Sequence, residues 1–104
     1  MILEKEIIIP AEHPALTGHF PGHPIVPGVV IIDEIMTLIN EYNESLKLES
    51  ISYMKFSLPL QSGQVCRMLV NISNYDSVTI ECQVNGRAIT KGKLVLQMQQ
   101  GDEK

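Results

Sequence analysis

One run of side chains limits the folds open to this chain more than any other. Val29, Val30, Ile31, Ile32, Ile35, Met36, Leu38 and Ile39 crowd the segment that follows Pro27-Gly28. At helical spacing they leave little polar face over the first half of a helix running to about Tyr42. A helix apolar nearly all round is a buried helix. Asn40, Glu41, Asn43 and Glu44 then bring it back to the surface. At 104 residues the chain makes one domain, residues 1–104, with room for one core. The rest of the chain must wrap round this helix.

What surrounds it alternates with period two. Residues 2–9 form a strand with Leu3, Ile7 and Ile9 on one face, ended by Pro10. Met54, Phe56 and Leu58 share a face of a strand ending near Pro59. Cys66, Met68, Val70 and Ile72 share a face of the next, as do Val78, Ile80, Cys82 and Val84. Asn85-Gly86 is a two-residue hairpin signal, because a type I′ turn needs positive φ at both central positions. A last strand runs from Ala88 to about Met98, before a polar tail. The order is strand, loop, buried helix, then four strands joined by short turns. Short turns imply antiparallel neighbours. The fold class is therefore α+β, an antiparallel five-stranded sheet wrapped around one long central helix.

Charge narrows the partners. The net charge is −4, and eight Lys and Arg are spread along the chain, so no basic face for nucleic acid is expected. Arg87, Lys91 and Lys93 read as a solvated strand face, or else as a docking patch. Cys66 and Cys82 fall in strand patterns and read as small core residues of a reducing compartment. The longest apolar run, Ile25 to Ile32, is broken by Pro27 and too short to span a bilayer. A cytoplasmic protein without membrane contact is expected.

The chemistry concentrates in residues 10–28, which hold five prolines, three glycines and all three histidines. Proline fixes φ, so this is an ordered loop. His19 sits among Pro21, Pro24 and Pro27. Its imidazole exchanges a proton near neutral pH, and a stiff loop keeps a base in one place. Gly28 sets a bare N–H at the positive end of the helix dipole, a natural donor to a developing oxyanion. Asp33 follows four consecutive aliphatic residues. Apolar surroundings would raise its pKa and suit an acid that must hold its proton. Base, donor and acid together suit proton abstraction next to a carbonyl. The plainer readings are that His13 and His23 are structural hydrogen-bonding groups and that Asp33 and Glu34 are solvated helix positions. The histidine spacing matches no metal-ligand pattern.

The segment from Gly18 through Gly28 reads Gly-His-Phe-Pro-Gly-His-Pro-Ile-Val-Pro-Gly. It resembles, without a gap, the active-site motif of the β-hydroxyacyl-acyl carrier protein dehydratases of fatty acid synthesis, the FabA/FabZ-like enzymes. In that family a carboxylate lies fourteen residues after the catalytic histidine, and His19 plus fourteen is Asp33. Lys55 through Gly63 is similar, more loosely, to the strand and Pro–Gly turn that follow the family's helix.

The resemblance implies a hotdog fold and dehydration of 3-hydroxyacyl thioesters to trans-2-enoyl thioesters in fatty acid or polyketide-type biosynthesis. It implies His19 and Asp33 as catalytic residues, taken from two different subunits. It makes Gly28 the donor to the thioester carbonyl and Ile25 the carbonyl that orients the imidazole. Phe20 and Pro27 complete the substrate-binding set. It implies no metal or organic cofactor, a substrate on acyl carrier protein or coenzyme A, and a homodimer or higher homo-oligomer. Thr37 stands where the family commonly has Gln. Glu34 adds a second carboxylate beside Asp33, about 100° round the helix, so at most one of the two faces the site. Two other readings stay open: a hotdog thioesterase that activates water with a carboxylate, and a non-catalytic acyl-binding module.

Overall fold

Each element forms where the local chemistry favours it. Pro27 stands at the N-cap with φ −63°, a torsion already fixed for helix entry. The helix, α1, then runs Gly28–Tyr42. It closes through the Asn40 side chain, whose amide donates to the carbonyls of Asn43 and Leu46. The remaining elements are β1 (Ile2–Ile8), β2 (Leu46–Phe56), β3 (Val65–Asn74), β4 (Ser77–Val84) and β5 (Arg87–Met98). The computed structural model describes residues 1–16 and 24–99. Among them, no helix is long and apolar enough to cross a membrane.

The five strands form one antiparallel sheet in the order β1-β3-β4-β5-β2. Helix α1 touches β1, β2 and β3. Contact with both edge strands means that the sheet curls round the helix, the expected hotdog arrangement. Val30, Ile31, Ile35, Leu38 and Ile39 are buried on the helix. They meet Cys66, Met68, Val70, Val78, Ile80, Cys82, Leu94 and Leu96 from the sheet in one core. Each such side chain contributes on the order of 1.5–3 kcal/mol by burial. The Asn85-Gly86 hairpin has φ of 54° and 78°, as a type I′ turn requires. Cys66 and Cys82 are free and buried. A hydrogen bond with Cys66 and burial both push the Cys82 thiol up, away from the reactive thiolate.

Three expectations need correction. The helix is not apolar-faced all round in space: Val29 is 63% exposed, and Asp33 and Thr37 continue the same exposed stripe. Short connections give neighbours for β3, β4 and β5, but β2 crosses to the far edge and pairs with β5, not β3. The β2 strand also begins at Leu46, well before Met54. Its register on β5 shifts twice, between Leu48 and Ser50 and between Ile51 and Tyr53. Leu46, Leu48, Ile51, Met54 and Phe56 share the helix-facing side at spacings of two, three, three and two. Two bulges therefore erase the alternation that identifies a strand.

Candidate active site

The chain on either side of the histidine loop is pinned by backbone pairing. After the loop, Val26 N–H donates to Leu60 O at 2.7 Å, and Ser62 N–H donates to Pro24 O at 2.9 Å. Ile25 forms an isolated antiparallel bridge with Gln61. Gly63 N–H donates to Ile9 O at 2.9 Å, which ties the same turn to the end of β1. Before the loop, Leu16 is buried and Ala15 N–H donates to His13 Nδ1 at 3.0 Å. His13 thus takes part in the local hydrogen bonding expected of a structural histidine. His19, Phe20 and His23 lie outside the described residues.

Val26 is buried, Pro27 is half-buried, and Gly28 opens the helix. The first backbone donation back to Pro27 O comes from Val30, at 3.0 Å. Gly28 N–H belongs to the first-turn donors that a helix leaves without an intrahelical partner, and no side chain caps this end. A cavity of about 360 Å³ opens beside it, lined by Ile25, Gly28, Ile31, Phe56, Leu58 and Leu60 among others. Its walls are mostly hydrocarbon. That volume lies at the lower end of the roughly 300–1,000 Å³ typical of small-molecule sites. An apolar chamber against a free backbone donor can hold a carbonyl by its oxygen and the attached chain by its surface.

The structure therefore brings Ile25, Pro27 and Gly28 round one cavity and leaves Asp33 apart from it. Asp33 is exposed, on the side of α1 turned away from the core. The apolar surroundings expected for it are not present within one chain, because consecutive helix residues point about 100° apart. Val30 and Ile31 enter the core while Asp33 leaves it. Glu34 is half-buried. The Thr37 hydroxyl donates to the Asp33 carbonyl at 2.9 Å. That proton is engaged on its own helix.

Phe56 is the site residue that sequence reasoning missed. A methyl group placed on Gly28 would stand 2.8 Å from Phe56 Cζ and 3.4 Å from both Cε1 and Cε2. The ring thus points end-on at the start of the helix. The alternation of Met54 and Phe56 gave its face, but nothing local placed that face against the start of the helix.

Comparison with known proteins shows the family. The family model described as ApeI dehydratase matches residues 2–93. A 3-hydroxyacyl-acyl-carrier-protein dehydratase FabZ from Ehrlichia chaffeensis is 35% identical over 83% of this chain and 63% of its own length. The FabZ of Bordetella parapertussis is 31% identical over 91% of this chain and 74% of its own length. The match thus spans somewhat under two thirds of the first of these relatives and about three quarters of the second. In fold, the dehydratase heterocomplex ApeI:P from Xenorhabdus doucetiae superposes with a TM-score of 0.78 at 24% identity, over 91% of this chain and 86% of that one. This chain belongs to the ApeI-like dehydratase family.

Proposed function

We propose that the protein removes water from 3-hydroxyacyl thioesters, carried on acyl carrier protein or coenzyme A, and releases trans-2-enoyl thioesters. The observation that carries this reading is the free Gly28 amide at the wall of an apolar cavity, with Asp33 held outward on the same helix. His19 takes a proton from C2. The electron pair left behind forms the C2–C3 double bond as the C3–oxygen bond breaks. Asp33 gives its proton to the departing hydroxyl, which leaves as water. Charge building on the thioester oxygen meets Gly28 N–H, a contribution of about 2.7–4 kcal/mol to the barrier for one such donor. Proton transfer from His19 and to Asp33 resets the site.

An exposed Asp33 needs a second copy to do this. The β2 edge offers the place, since its outer row of backbone groups is unpaired and Ile51, Tyr53 and Phe56 are exposed on it. Val29, on the helix flank, is exposed as well. In this reading a second copy docks on this side, and each site takes its Asp33 from the partner.

Mixing two dead variants tests both the chemistry and the sharing. His19→Ala and Asp33→Asn alone should each lower turnover by about 10²–10⁴-fold, followed by the absorbance of the enoyl thioester. After subunit exchange the mixture should recover about a quarter of wild-type activity, because half the dimers are hybrids with one intact site of two. A mixture no more active than its parts would refute the shared site. Wild-type loss of less than tenfold in His19→Ala would refute the base.

A further inference from the structure

The geometry points to Phe56 as the residue that restricts the substrate at C2, so that unbranched 3-hydroxyacyl thioesters enter and α-methyl ones are excluded. This inference rests on the proposed dehydratase reading and adds the class of acyl group that the site takes.

The register of β2 on β5 sets up the restriction. The two shifts cancel, so Phe56 stays on the helix-facing side that Leu46 takes ten residues earlier, opposite the buried Thr90 of β5. The ring then reaches Gly28, with Cζ 2.8 Å from the position of a Cβ on that residue. Standard bond lengths place Cζ within about 5 Å of the Gly28 nitrogen. A thioester oxygen accepting from that nitrogen would lie about 2.9 Å from it. The inference sets C2 against the ring, at the roughly 3.5–4.0 Å of carbons in contact.

The other walls close the alternatives. Ile31 and Leu60 bound the cavity and are 3% and 2% exposed, so they are fixed in the core. A substituent at C2 cannot be accommodated by moving them. Phe56 is 48% exposed in the single chain, and it lines the cavity beside Gly28. A CH2 at C2 passes such a ring. A methyl branch there meets either the ring or the buried wall.

The test compares 3-hydroxybutyryl and 2-methyl-3-hydroxybutyryl thioesters of N-acetylcysteamine, read by enoyl absorbance. The wild type should favour the unbranched substrate in kcat/KM by roughly 10–200-fold, the range for one methylene-sized misfit. In Phe56→Ala the ratio should fall about tenfold or more, through gain on the branched substrate. A folded Phe56→Ala with the wild-type ratio would overturn the inference. If that variant does not fold, Phe56→Leu keeps most of the volume, removes the ring, and is judged by the same ratio. Should no variant and no wild type dehydrate either substrate, the dehydratase reading itself fails. Calorimetric binding of the matching acyl amides then decides the Phe56 claim separately: equal wild-type affinities for branched and unbranched amides overturn it, and tighter unbranched binding lost in Phe56→Ala supports it.

Discussion

The two edges of the sheet are finished in opposite ways. The β1 edge is seven residues long and tied off by charge. Lys5 Nζ meets Glu41 of the helix at 2.9 Å, and Glu4 pairs with Arg67 of β3. The β2 edge is eleven residues long and bulged twice, and it exposes Ile51, Tyr53 and Phe56. Among the described residues it makes no ion pair. Charges, short strands and bulges are the usual means of closing an edge against another chain. β1 uses charge and shortness. β2 is long, and it exposes Ile51, Tyr53 and Phe56 among the charges of Lys47, Glu49 and Lys55. The closed edge holds the fold, and the open edge holds the proposed chemistry.

A matched pair of lysine substitutions can break that comparison. Ile51→Lys puts a charge on the open edge, and Ile2→Lys puts one at a site 66% exposed on the closed edge. Ile51→Lys should convert dimers to monomers by light scattering. Turnover should drop by about a hundredfold or more, since each site would lose its acid. Ile2→Lys should leave mass and rate unchanged. Equal effects of the two would mean that the edges are not functionally different.

Gly28→Ala sharpens the comparison at the helix start. Its methyl would force the Phe56 ring aside by the contact at 2.8 Å. The overlap with the ring opposes the better helix propensity of alanine, so stability should fall by about 1–3 kcal/mol in urea titration. Turnover should fall roughly ten- to a hundredfold, because the wall beside the amide donor is displaced. A loss of stability with turnover unchanged would show that the glycine serves packing alone.

Gly92 supports the same edge from β5. It pairs with Met54, and a methyl there would overlap Met54 Sδ and come within 2.9 Å of the Tyr53 carbonyl oxygen. The obstacle includes backbone, so it cannot yield as a side-chain tip can. Gly92→Ala should cost about 1–3 kcal/mol of stability, read from the urea midpoint. A neutral result would mean that β2 can shift its bulge freely.

How far the sequence spoke also differs between the edges. The helix bounds, the core faces of β3 and β4 and the Asn85-Gly86 turn were legible because each rests on local chemistry: Pro27 at the N-cap, strict alternation, and two residues that tolerate positive φ. The first half of β2 was not legible, because bulges break period two at residues where only the partner strand sets the register. Its place beside β5 is a non-local choice that no short turn encodes. The site divides the same way. The motif showed Ile25, Pro27 and Gly28 as one unit, and they do line one cavity. Asp33 was expected among apolar side chains because its chain neighbours are apolar, yet a helix sends neighbours to different faces. The face of Phe56 was legible from its alternation with Met54, but its approach to Gly28 is a non-local contact that no spacing encodes.

The smallest effect belongs to the closed edge. Lys5→Ala removes the contact with Glu41, whose side chains are 42% and 53% exposed. Pairs this open to solvent are screened and are typically worth about 0–1 kcal/mol. The variant should therefore lose no more than about 1 kcal/mol, less at high salt. It should retain wild-type turnover, since Glu41 is two helical turns beyond Asp33 and on no wall of the cavity. If Lys5→Ala instead slowed dehydration with the fold intact, the charged edge would have to help position α1 for catalysis. The separation of a holding edge from a working edge would then fail at its simplest point.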